Sequence, residues 1–236
     1  SMKTPAVCMC AVIVLGISSG LVSAETWNSR LSRGHNILLQ EGLQLQASCY
    51  GITETFNLAN WKASHFTTVH FWDDYPSAHL PASPGLPWAV SSSTAPGLGS
   101  KLAPYAGTLV SYQMGDEQDI TDPDAQAELK WAMEHFHSAM PHVLTFTNQW
   151  GRQFSKTDVQ TYMQQVQPDM LCFDTYPFDG DVTGGSPTGY YADMQEYRKL
   201  GMAGNDGTGT RPIPVGFWTQ TVDKNHTVSE SEIRLN

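Results

Sequence analysis

Basic residues are scarce in this sequence: Lys and Arg number 13 against 23 Asp and Glu, for a net charge of −10. Such an acidic chain does not suit nucleic acid or an anionic membrane surface. Neutral ligands such as glycans suit it better. Cysteine is scarce too, with four residues and no CxxC pair of the zinc-binding kind. His135 and His137 stand two apart on a predicted helix, so they point to different sides and make a poor metal pair. The acidic stretch after residue 115 lacks the central glycine of an EF-hand loop. P-loop and Rossmann glycine patterns are missing. Gly16-Ile17-Ser18-Ser19-Gly20 fits the serine-hydrolase elbow, but no strand precedes it. Neither a metal nor a cofactor is expected.

Only one long apolar run occurs, Ala6 to Ile17, too short to span a bilayer comfortably. Lys3 precedes it and Val22-Ser23-Ala24 follows with small residues at a cleavage-site spacing. This is the three-part pattern of a secretory leader over residues 1–24, with Ser1 reading as a cloning remnant ahead of Met2. A secreted, soluble mature chain over 25–236 is the expectation, and loss of Lys3 would take the charge from −10 to −11. Export permits a disulfide between Cys49 and Cys172. Both lie in strand-like apolar runs, which favours two buried thiols.

Helical patterns alternate with short apolar runs, which predicts β/α units around a parallel sheet. Six strand candidates stand out: 43–50, 66–72, 108–114, 142–147, 170–175 and 213–221. Helices are expected at 27–40, 58–64, 122–139, 155–166 and 186–200, with Asp122-Pro123 and Ser186-Pro187 as starts. The Pro-, Ser- and Gly-rich stretch 73–107 reads as a long functional loop. Ser229-Glu230-Ser231-Glu232 is a capping box with only four residues after it. The expected fold is therefore a (β/α)8 TIM-barrel-like domain, incomplete, with about six of eight units present. A six-stranded open sheet is the alternative.

Ser111-Tyr112-Gln113-Met114-Gly115-Asp116-Glu117-Gln118 places two carboxylates directly after an apolar strand, where β/α barrels carry catalytic groups. A glycosidase needs one carboxylic acid to protonate the leaving oxygen and a second carboxylate as nucleophile or base. Glu117 is the candidate acid/base, with Asp116 orienting it or holding a sugar hydroxyl. A solvated acidic loop is the plainer reading of the same residues. Leu171-Cys172-Phe173-Asp174-Thr175-Tyr176-Pro177 ends a second strand in an acid. Asp174 is a second catalytic candidate, or a buried carboxylate satisfied by backbone donors. Trp72 and Asp73, Asn148, Gln149 and Trp150, Tyr176, and Trp218 with Gln220 stand at or near other strand ends. Aromatic plates and amide or carboxylate groups match the C–H faces and hydroxyls of sugars.

Gly115-Asp116-Glu117-Gln118, Phe173-Asp174-Thr175-Tyr176-Pro177-Phe178, and Gln220 followed by Ser229 to Arg234 together resemble clan-A-type glycoside hydrolases. These are the retaining (β/α)8 enzymes that include β-galactosidase-like proteins. The resemblance implies that Glu117 is the general acid/base. It also implies a nucleophilic glutamate on a late strand, where this chain offers Gln220. The nucleophile is thus left open among residues outside this sequence, another acid such as Asp174, or none. The expected function is a secreted glycoside hydrolase acting on a poly- or oligosaccharide. The alternative is a non-catalytic glycan-binding protein on a degenerate barrel.

Overall fold

The computed structural model describes residues 11–13, 27–49, 59, 63–72, 80, 85–92, 98, 100–151, 153–177 and 187–219, with 11–13 and 47–49 given as backbone. Asp73, Gln220, the capping box at Ser229–Glu232 and most of the leader lie outside them. Seven strands run parallel in sequence order: β2 (Leu45–Cys49), β3 (Thr68–Trp72), β4 (Trp88–Ser92), β5 (Leu109–Asp116), β6 (Leu144–Trp150), β7 (Leu171–Asp174) and β8 (Val215–Thr219). They form one curled sheet, an α/β fold consistent with an incomplete TIM-like barrel. A three-residue strand, β1 (Ala11–Ile13), sits between β2 and β8, antiparallel to both, and closes the ring.

All six strands read from the sequence are present. Among the parallel strands β4 is the one missed, and it corrects the reading of 73–107 as a single loop; β1 was read as part of a leader. Its first four residues are fully buried, so Trp-Ala-Val-Ser shows no alternation of apolar and polar residues to betray a strand. A 3-10 helix at Ala103–Thr108 then leads into β5.

Four helices are described: α1 (Arg33–Glu41), α2 (Pro123–Ala139), α3 (Lys156–Val166) and α4 (Pro187–Ala203). Asp122 caps α2 by accepting from the Asp124 amide, and Ser155 with Asp158 forms a reciprocal capping box on α3. Buried residues recur at i, i+3, i+4 and i+7 on both: Leu129, Ala132, Met133 and Phe136, then Val159, Tyr162, Met163 and Val166. These stripes pack on the outward strand residues. Tyr112 meets Phe136 at 4.4 Å, and Phe173 meets Tyr197 of α4 at 4.4 Å.

Alternation sends the other residues inward, where the barrel divides by chemistry. On the β6–β8 side, Leu144, Phe146, Cys172 and Trp218 cluster with Ile37 and Leu38 of α1. Cys172 is a free, buried thiol, and burial pushes its pKa up. On the β2–β5 side the interior is polar. Gln46 donates to Ser111 Oγ at 2.7 Å, His70 Nδ1 lies 2.8 Å from Gln46 Oε1, and His70 Nε2 lies 2.5 Å from Ser91 Oγ. Gln46 spends its amide protons on Ser111 and Gln44, so its oxygen must accept from His70 Nδ1–H. Burial holds the His70 pKa at about 3, so near neutral pH the ring is uncharged with its proton on Nδ1.

The amino-terminal ends of the strands are closed by α1. Buried Asp169 accepts from Arg33 of α1 and from the amide and hydroxyl of Thr145 at 2.8 Å each. Arg33 also donates to the Pro141 and Val143 carbonyls. His137 reaches Thr145 Oγ1 at 2.7 Å while His135 stacks on Trp131, so the two histidines do point apart. Among the described residues no His, Cys, Asp and Glu cluster could hold a metal, and no helix is long and apolar enough to cross a membrane.

Candidate active site at the carboxyl ends of β5 to β7

Where β5 ends, its pairing with β6 slips. Gln113 pairs with Phe146, but Asp116 pairs with Asn148, so three residues face two. This bulge needs the left-handed backbone of Gly115, φ +83°, and a β-carbon there would meet Gln118 Cγ at 2.7 Å. Ser111 and Gln113 face inward, so regular alternation would turn residue 115 inward next. The extra residue brings Asp116 to the interior rim instead. Glu117 follows at φ +51°, an unfavourable backbone for a side-chain-bearing residue. Two bonds hold it there: Glu117 N–H donates to Asn148 O at 2.9 Å, and Gln153 Nε2 donates to Glu117 O at 3.2 Å. Strain retained in this way is a feature of functional sites and costs on the order of 1–3 kcal/mol.

Asn148 and Asp174 are the inward residues at the ends of β6 and β7. One amide nitrogen, Asn148 Nδ2, donates to Asp116 Oδ1 at 2.9 Å and to Asp174 Oδ2 at 3.0 Å. Gln113 Nε2 also reaches Asp116 Oδ1 at 3.2 Å, and Tyr176 OH donates to Asp174 Oδ2 at 3.1 Å. Asp116 stands at the rim with part of its surface exposed and its carboxyl partly desolvated, whereas Asp174 is only 4% exposed. Burial, then the charges of Glu117 and Asp116, push the Asp174 carboxyl up to about 7. Burial also raises Asp116, against the pull of its Asn148 and Gln113 bonds. Near neutral pH the buried acid therefore keeps a proton for a substantial part of the time.

Several buried polar atoms of these strand ends find no partner among the described residues: Gln113 Oε1, Asn148 Oδ1, Asp174 Oδ1 and Trp150 Nε1. Each unsatisfied group costs about 1–3 kcal/mol. Three acceptors and a donor at one barrel mouth suit a ligand carrying several hydroxyls.

Of the sites read from the sequence, Asp116, Glu117, Asn148, Trp150, Asp174 and Tyr176 gather here. Trp72 shares the inward face of β3 with His70, their rings 6.2 Å apart, and Trp218 stands edge-on to His70 at 4.9 Å. Gln149 does not belong to this set. Neighbours along a strand face opposite ways, so with Asn148 and Trp150 inward it faces α3 and donates to Thr147 Oγ1 at 3.1 Å. Asp73 and Gln220 lie outside the described residues. The sequence reading left out Gln113 and the His70–Ser91–Gln46 chain, although polar residues at alternate positions of an apolar strand were the signal available. The plainer reading of Asp174, a carboxylate satisfied by backbone donors, is corrected: its donors are the side chains of Asn148 and Tyr176. No family model matches this chain, and no curated protein matches it.

Proposed function

We propose that this chain is an exported glycoside hydrolase of the (β/α)8 class acting on a neutral poly- or oligosaccharide. The observation that carries the reading is the unequal carboxyl group at the barrel mouth. Asp174 is buried and held at about 7, while Asp116 and Glu117 stand exposed at the end of β5, two strands away across β6. Pairs of acids pushed apart in this way divide the labour of glycoside cleavage. Asp174 donates its proton to the glycosidic oxygen as the C–O bond breaks. A carboxylate from the end of β5, Glu117 or Asp116, stabilises the anomeric carbon or attacks it, and water completes hydrolysis. Glu117 thus becomes a candidate for the second carboxylate, and Asp174 takes the acid role that sequence alone suggested for Glu117. Trp72, Trp150, Tyr176 and Trp218 offer stacking faces for the ring, and the unpartnered side-chain oxygens of Gln113 and Asn148 accept its hydroxyls.

Reducing-sugar release from a panel of neutral glycans tests this, with the wild type beside Asp174→Asn and Glu117→Gln. Release that collapses in both folded variants is the expected outcome. Equal release by all three proteins would remove the carboxyl mechanism. Binding without release by the wild type would leave the non-catalytic glycan-binding alternative.

A further inference from the structure

Asn148 has a geometry that the reaction as described does not require. Both protons of its amide are committed, one to Asp116 on β5 and one to Asp174 on β7. Its own Oδ1 is buried and has no partner among the described residues. Its backbone carbonyl meanwhile accepts from the Glu117 N–H at 2.9 Å. One residue on the middle strand thus touches all three acids of the mouth. We infer that Asn148 is the positioning residue of the site: its amide ties the Asp116 and Asp174 carboxyls into one coupled acid pair, and its Oδ1 receives a hydroxyl of the ligand.

The physical case is direct. An amide N–H favours the charged form of the carboxyl that it touches. A donor shared by two acids favours the ionisation of both, whereas their mutual repulsion opposes ionising the second. Asn148 and Asp116 therefore act on Asp174 with opposite sign. The other groups facing Asp174 are Glu117, just after β5, Cys172 from its own strand, Tyr176 just beyond it, and Tyr197 from α4. Burial keeps Cys172 and Tyr197 uncharged through the neutral range, so the acids of β5 and the amide of β6 set the balance. The role in turnover rests on the glycosidase reading above, but the coupling itself does not.

The test is a carboxyl-carbon NMR titration of the ligand-free full chain. Asn148→Leu, close in size and without donors, removes the bridge. Asp116→Asn keeps the amide and removes one charge. The expected results have opposite signs. The Asp174 midpoint rises by about one pH unit, tenfold in proton affinity, in Asn148→Leu, and falls in Asp116→Asn. A merely structural Asn148 would leave the Asp174 midpoint of the folded variant unmoved, and that result overturns the inference. If Asn148→Leu does not fold, Asp116→Asn decides alone, because an unchanged Asp174 midpoint there means that the pair is not coupled. Hydrolysis measurements are separate: a coupled pair in a chain that cleaves no glycan would retain Asn148 as the bridge and remove the glycosidase reading.

Discussion

Replacing Asp174 with Asn should stabilise this protein at alkaline pH, and the size of the effect follows from its burial. A carboxyl at about 7 in the folded chain has an ordinary value of 3.8. Below pH 3.8 both folded and unfolded states hold the proton and the group contributes nothing. As pH rises from about 4 to 7 the unfolded chain releases its proton first, so the unfolded state binds fewer protons and stability falls. Above 7 the loss is complete. At 1.36 kcal/mol per pH unit it amounts to about 4 kcal/mol. Asn keeps the shape and cannot ionise. The stability difference between Asp174→Asn and the wild type should therefore grow by about 4 kcal/mol between pH 4 and pH 8, roughly 10 °C in melting temperature for a chain of this size. Urea unfolding at a series of pH values measures it. His70 acts the other way: its depressed pKa costs stability as pH falls below the ordinary imidazole value. Only the difference between variant and wild type isolates Asp174. A difference that stays level with pH, or shrinks as pH rises, would refute the burial argument.

Three further outcomes are expected. Gly115→Ala forces a β-carbon into a left-handed backbone against Gln118, so it should cost on the order of 1–3 kcal/mol and weaken glycan binding, read by melting and calorimetry. Arg33→Ala removes the guanidinium from buried Asp169 and leaves it only His137 Nε2, at 3.2 Å, as an ionisable partner. A loss of about 3–5 kcal/mol in unfolding free energy should follow, with activity per folded molecule unchanged because the pair lies at the opposite end of the barrel. The imidazole of His70 should remain neutral, protonated on Nδ1, down to pH 4 by nitrogen NMR, and a titration near 6.5 would contradict the buried hydrogen-bond chain.

Local chemistry made much of the fold legible. Asp122-Pro123 starts its helix in the sequence as it does in space, since a cap depends on residues within one turn. Strands β5 and β7 were legible as apolar runs ending in acids, and β6 as one ending in Asn148-Gln149-Trp150. Strand β4 was not, because a segment buried on both faces carries no period, and the prolines around it read as loop. The place of Ala11–Ile13 was hidden as well: its apolar run reads as a leader, and pairing with β2 and β8 is a relation between distant parts of the chain.

The candidate site divides in the same way. The sequence by itself determined which acids stand at strand ends, because strand and helix periods are local. It could not decide their roles. Asp116 and Glu117 are adjacent in the chain, yet the bulge at Gly115 chooses which of them meets Asn148, and bulges are defined only against a partner strand. Asp174 is raised because a barrel wall excludes water from it and brings two β5 acids near it. Asn148 and Gln149 look alike in sequence, and only strand register turns one towards the acids and the other towards a helix. Burial and charge proximity are sums over residues far apart in the chain, so they exist only once the sheet has curled.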